Sequence, residues 1–293
     1  MPLRVVLLFA ATILGWGLAW PTIKIGITEI PPWSYRAITL PSAALIMFAL
    51  AKLRGESLAL PIGQRRYLIA TSLLNVTGWV LFSTLGLSRL ASGHASIIAY
   101  TMPLWAFLFA LASGLERASA VRVLGVFAGV AAIGVLLSAE TEAILAAPEG
   151  PLLMLTAAVA WGAGTAFHKR ISWRLSSISL TAWMLAIGSA PLLAVGFFVD
   201  GAGLHPISAS ALWATLFVIA VPTVVCWICW FAIVKAVPVT VSSVGILMVP
   251  MVAVISGNLL LHEAVGWREI AALALVCVAI ALVLRPVRTK EAT

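Results

Sequence analysis

Ile13-Leu14-Gly15-Trp16-Gly17, followed by Lys24, returns 145 positions later as Val159-Ala160-Trp161-Gly162, followed by Lys169. A second pair of markers keeps almost the same offset: Pro103 and Glu116 are matched 147 positions later by Pro250 and Glu263. In each copy the glutamate stands thirteen positions after the proline, with an apolar stretch between. The segments beyond, Val123 to Ser138 and Ile270 to Leu284, are both rich in Ala, Val and Leu. Two independent markers at nearly equal spacing define a duplicated chain, divided as residues 1–145 and 146–293.

The repeat lies in an unusually apolar background. Of 293 residues 62% are hydrophobic and 10% are charged, against about 25% charged for an average soluble domain. That charge cannot cover the surface of a water-soluble fold. The net charge of +8 does not describe a nucleic-acid binder either, because the basic residues fall in short clusters between apolar runs. The first run, after Arg4, continues through Trp16, Trp20 and Pro21 without a small-residue cleavage site, and reads as a retained helix.

A spanning helix needs about 20 mostly apolar residues. Ten such runs are predicted, over roughly residues 5–23, 32–51, 67–87, 92–115, 122–138, 151–168, 178–199, 209–234, 238–261 and 268–285. Fourteen of the 18 basic residues then fall on the side that holds both termini, so both termini are expected in the cytoplasm. Each half carries five spans, an odd number, so the second copy crosses the bilayer in the opposite sense. The loops agree: Lys52 to Arg66 is basic, and its counterpart from Asp200 to Ser208 has no Lys or Arg. The expected fold is an all-α polytopic membrane protein of ten transmembrane helices in two inverted five-helix repeats around a central cavity. Secondary transporters recurrently use this plan, holding substrate near the midplane.

The Trp-Gly pair of each half resembles the EamA-type repeat of the drug/metabolite transporter superfamily. So do Arg36, the prolines of Tyr100-Thr101-Met102-Pro103 and Leu247-Met248-Val249-Pro250, and the terminal Glu116 and Glu263. Arg36 aligns with Thr181 in the second copy, so its role is not symmetric. The resemblance implies a basket of ten helices and export of amino acids or other small metabolites from a bacterial-type inner membrane. Its nearest likeness is to the bacterial aromatic amino-acid exporters of the YddG type.

Polar groups and helix breakers inside a bilayer tend to face a cavity or the bundle interior. Trp16 and Trp161 sit near the centres of their spans, where an interfacial belt would not put them; their indoles can line a cavity or pack against close helices at Gly17 and Gly162. Asn75, Trp79, Phe82 or Ser83, and Gly86 share one face of the third span, and Ser96, Tyr100, Pro103 and Phe107 one face of the fourth. Substrate contact is therefore expected at Trp16, Asn75, Trp79, Ser83, Tyr100, Trp161 and Ser243. Pro103 and Pro250 are hinge candidates, since each removes a helical hydrogen bond. Arg36, one turn inside the outer face, is a candidate partner for a substrate carboxylate, with snorkelling to headgroups or a tie to Glu29 as alternatives.

No carboxylate falls in the middle of a span, so a buried Asp/Glu proton relay has no support. His262-Glu263 lacks the second histidine of a zinc motif, Asp200 is the only aspartate, and neither G-x-S-x-G nor a P-loop occurs. Cys226 and Cys229 read as packing residues. The expectation is thus no enzyme, metal or cofactor, and partners limited to a small-molecule substrate and the lipid bilayer. Facilitated export by alternating access is preferred; proton-coupled drug or metabolite export and a lipid-carrier flippase are the competing readings.

Overall fold

The computed structural model describes residues 2–115, 119–138, 148–200, 206–236 and 248–283. All regular structure among them is helical. Helix α1 (Leu3–Glu29) and α2 (Pro32–Leu53) are followed by α3 (Arg65–Ser72), a π turn at Leu73–Gly78 and α4 (Trp79–Arg89). Next come α5 (Ser92–Ala99), α6 (Met102–Ala112) and α7 (Ala120–Leu137). Helix α8 (Glu149–His168) leads to α9 (Ser177–Val195), which runs on into a π turn at Gly196–Asp200. Helix α10 (Ala209–Ala220) passes through a π turn at Val221–Val225 into α11 (Cys226–Ala236). The last two are α12 (Met248–Leu261) and α13 (Trp267–Val283).

Seven helical stretches among the described residues are long and apolar enough to cross a bilayer: Leu3–Glu29, Pro32–Leu53, Ile62–Arg89, Ser92–Ala112, Glu149–His168, Ser177–Asp200 and Ala209–Trp230. The apolar helices Ala120–Val135 and Met248–Leu261 are shorter. In hydrocarbon every backbone polar group must find its partner within the segment, which only helices and closed barrels achieve. The chain is a multi-pass helical membrane protein.

Local chemistry sets the helix ends. Pro32 and Pro103 stand in the first turns of α2 and α6, where a missing N–H costs nothing. Ser119, Ser176 and Ser208 cap α7, α9 and α10 by accepting backbone N–H groups. Gly55 and Gly114 close α2 and α6 at φ of +68° and +72°; Glu56 N–H then reaches Ala51 O and Leu115 N–H reaches Ala110 O, both at 2.9 Å. Only glycine takes that left-handed cap without strain.

The fourth span is interrupted at Tyr100-Thr101, and Pro103 begins the helix that follows instead of kinking a continuous one. The third and eighth spans are continuous but widened by π turns.

Among the described residues the interior holds two large apolar clusters and a small third one at Leu104, Phe107, Ala279 and Val283. The first large cluster is built around Ile97, Ile98, Met154, Val249 and Ile280, the second around Leu40, Met47, Val76, Val80 and Leu192. Helix α1 lies on α12, α4 on α8, α2 on α9 and α7 on α13. Gly17 and Gly162 are points of close approach: a Cβ there would meet Val252 at 2.4 Å and Trp105 at 2.6 Å. The packing role of these two glycines is thus real, and it leaves the neighbouring tryptophans at the seam between the clusters. Trp16 packs against the first cluster, Trp227 against the second and Trp79 against both.

Candidate functional site

Six indoles form a chain along that seam. Trp20 on α1 meets Trp79 on α4 at 6.4 Å between ring centroids, and Trp79 meets Trp161 on α8 at 5.2 Å. Trp161 meets Trp227 on α11 at 6.3 Å, and Trp227 meets Trp16 at 5.9 Å. Trp16 also touches Trp230 at 5.9 Å. Every step lies in the 4.5–7 Å window of favourable aromatic pairs, and the rings are tilted or edge-on instead of sandwiched. Trp16, Trp79, Trp161, Trp227 and Trp230 are each only partly buried, so ring surface remains available.

The expected residues Trp16, Trp79 and Trp161 therefore converge, with Trp227 joining the first to the third. Trp20, Trp227 and Trp230 were missed by sequence reasoning. A signal was there: Trp227 stands 148 positions after Trp79, close to the offset of 145 that links Trp161 to Trp16.

Two of the π turns flank the chain and reach across to it. The Asn75 amide, inside Leu73–Gly78, donates from Nδ2 to Trp161 O at 3.2 Å and to Thr165 Oγ1 at 3.4 Å. Its Oδ1 is buried without a partner, and it lies where a Cβ on Gly164 would be, 2.2 Å away. In Val221–Val225, Pro222 O accepts the Trp16 indole N–H at 2.9 Å. Pro222 cannot donate to Val218 O, and the Thr223 hydroxyl does so at 2.7 Å. Trp16 therefore has its donor committed to the bundle, whereas Trp79 and Trp161 have no acceptor for theirs among the described residues.

The other candidates divide. Ser83 is 5% exposed and its hydroxyl stays local, 3.5 Å from Val80 O. Tyr100 is buried in the turn between α5 and α6. Pro250 is buried near the start of α12, while Ser243, Glu116 and Ile246 lie outside the described residues. Glu29 does not meet Arg36: its carboxylate takes the Ser208 N–H at 2.6 Å and the Ser208 hydroxyl. The Arg36 Nε donates to Thr84 Oγ1 at 2.7 Å. Cys226 packs its sulfur against Ala11 O at 3.6 Å, beside Gly15.

The ends of α1, α5, α12 and α13 share a polar cluster. Lys24 Nζ lies 3.2 Å from Glu263 Oε1 and donates to Leu90 O. Glu263 accepts the Ser92 N–H at 2.7 Å, the Ser92 hydroxyl at 2.6 Å and the Gly93 N–H at 3.2 Å, capping α5. His94 Nε2 lies 2.8 Å from Glu269 Oε1. Burial raises the affinity of Glu263 for a proton, but the Ser92 and Gly93 donors and Lys24 outweigh it and hold the carboxyl below its ordinary 4.5.

Seven bilayer-length helical stretches among the described residues, meeting at an aromatic seam, define a polytopic membrane protein. The chain belongs to the EamA-like transporter family, whose model matches residues 3–138 and 148–285. It is similar to "Uncharacterized transporter YvbV" of Bacillus subtilis (strain 168), 28% identical over 284 residues that cover 96% of this chain and 91% of the relative. It is also similar to the "Probable amino-acid metabolite efflux pump" of Salmonella typhimurium (strain LT2), 26% identical over 277 residues covering 89% and 88%. A solved structure titled "Crystal structure of protein" shares the fold at a TM-score of 0.68 and 23% identity, covering 96% of both chains. These relatives carry transporter and efflux-pump names rather than enzyme names.

Proposed function

We propose that the protein is a secondary exporter of amino acids or related small metabolites, aromatic and amphipathic ones foremost, across a bacterial-type inner membrane with both termini cytoplasmic. It works by alternating access of two inverted halves, residues 1–145 and 146–293, each of five spans, around a central site. Export is facilitated, with the substrate gradient as the driving force.

The observation that carries this reading is the indole chain. Its ring surface suits an aromatic or amphipathic solute, and the Trp79 and Trp161 N–H groups are uncommitted donors beside it. Two features support the inverted halves. The family model matches two consecutive stretches of similar length, and the π turns starting at Leu73 and Val221 are 148 positions apart, close to the offsets of the duplicated markers. Each of these turns contacts the tryptophan helix of the other half. The substrate class draws on the efflux pump among the relatives.

Uptake into liposomes containing the purified protein tests the proposal, with labelled amino acids and with or without a pH gradient. Saturable flux that ignores the gradient is expected. Flux that requires the gradient would replace facilitation with proton coupling, and flux of lipid-linked carriers with none of amino acids would replace the exporter with a flippase.

A further inference from the structure

Arg36 is a buried guanidinium that has no counter-ion among the described residues. It is 8% exposed, and among the described residues the ion pairs are Lys24–Glu263, Arg89–Glu149 and His94–Glu269, none of which includes it. Arg36 shares the buried face of α2 with Leu40, Ala43 and Met47, at spacings of four, seven and eleven residues. The lipid-exposed positions Ile38, Leu45 and Ile46 lie elsewhere around the helix. The side chain is fixed at two points: Nε donates to Thr84 Oγ1 on α4 at 2.7 Å, and the guanidinium carbon lies 5.4 Å from the centroid of the Tyr35 ring. The terminal nitrogens have no protein acceptor among the described residues, and they are not among the atoms sealed from solvent.

A buried charge is stable only when paired and hydrogen-bonded, and the protein supplies half of such a pair. The missing half is an anion whose geometry fits two parallel N–H donors, a carboxylate or a phosphate, and of these the carboxylate is the group that an amino-acid-like solute carries. Thr84 lies five residues beyond Trp79 on α4, about 7.5 Å along the axis. The guanidinium is thus tied to the helix that also carries Trp79 of the indole chain.

Building on the exporter reading, we propose that Arg36, held by Thr84, is the carboxylate subsite, so the transported class is carboxylic acids with an apolar or aromatic body, and amines and amides are excluded. This role is asymmetric, because Thr181 stands in the corresponding place of the second repeat.

The test uses the full chain in phosphatidylcholine liposomes, with labelled tryptophan as substrate and unlabelled indole-3-propionate, tryptophanamide and tryptamine as competitors. Wild type is expected to be inhibited by the propionate and indifferent to the amide and the amine; equal inhibition by all three overturns the proposal without any variant being made. Arg36→Gln should raise KM for tryptophan by a factor on the order of 30 or more, the loss typical of removing one member of a buried charge pair. Arg36→Lys should recover part of the acid-over-amide preference, and Thr84→Val should weaken it where Thr84→Ser keeps it. An unchanged KM in Arg36→Gln overturns the assignment. So does an effect of Arg36→Gln seen only when phosphatidylglycerol is added, since the guanidinium would then serve lipid phosphate. Calorimetric titration of the purified protein with the same four compounds separates two failures. Acid-selective binding without flux retains the subsite and removes the exporter, whereas flux without acid selectivity does the reverse.

Discussion

The two π turns beside the indole chain reach similar geometry by different chemistry. At Val221–Val225 the cause is local: Pro222 removes a helical donor, and Thr223 restores it with its hydroxyl. At Leu73–Gly78 nothing in Leu-Leu-Asn-Val-Thr-Gly forbids an ordinary helix. The widening there coincides with contacts from outside, Asn75 to α8 and the Thr77 hydroxyl to Gly188 O on α9 at 2.7 Å. The direction of the cross-contact also reverses, since Asn75 donates to the backbone of the Trp161 helix while Trp16 donates to the backbone of the other turn. One turn carries its own instruction, and the other depends on its neighbours.

That contrast can be broken experimentally. The largest effect is expected from Gly164→Ala, whose Cβ would fall 2.2 Å from Asn75 Oδ1. Overpacking of this kind typically costs about 1–3 kcal/mol, read as a lower unfolding temperature in detergent. Asn75→Ala should partly rescue it if the turn depends on that contact; the absence of any rescue would show that α8 and the turn are not coupled through Asn75.

Trp161→Ala should come next. An aromatic pairing is worth about 0.5–1.5 kcal/mol beyond its buried area, so KM for an aromatic amino acid should rise up to roughly tenfold, with expression unchanged. Normal flux would remove Trp161 from the site.

The phenylalanine variants separate the two indole donors. Trp16→Phe deletes the bond to Pro222 O and should cost about 1 kcal/mol of stability. Trp161→Phe deletes no protein hydrogen bond and should leave the unfolding temperature within error. Equal effects would erase the distinction between a committed and an uncommitted N–H.

The smallest expected effect is the pH response of the polar cluster around Lys24 and Glu263. The depressed proton affinity of Glu263 means that its contribution is complete above the ordinary carboxylate value of 4.5 and fades as pH falls through the lower folded value. The stability gap between wild type and Glu263→Gln should therefore shrink on acidification from below 4.5, and a gap that widens there would contradict the Lys24 and Ser92 contacts.

Much of the bundle was legible because hydrophobic runs and proline positions are written locally. The helix over Ser177–Val195 follows from side-chain pattern, whereas the interruption at Tyr100-Thr101 replaces the continuous span expected over residues 92–115. Pro222 marks its turn in the sequence. The turn at Asn75 was not legible, since it requires knowing that Gly164 and Gly188 of other helices arrive there. The site behaved similarly: Trp16, Trp79 and Trp161 were accessible as mid-span aromatics, but their meeting through Trp227 is a tertiary fact. Arg36 could be flagged by its depth, yet only the structure separates it from Glu29 and pairs it with Thr84.

A π turn amounts to one residue added to a helix, and each residue of an α-helix advances the side chain by about 100° around the axis. Trp79 follows directly on the first turn and Trp227 comes two residues after the second. The extra residue therefore sets the azimuth of both rings: deleting Val76 or Thr223 would swing Trp79 or Trp227 by roughly a quarter turn, away from Trp161. A single codon on each side decides whether the aromatic seam is continuous.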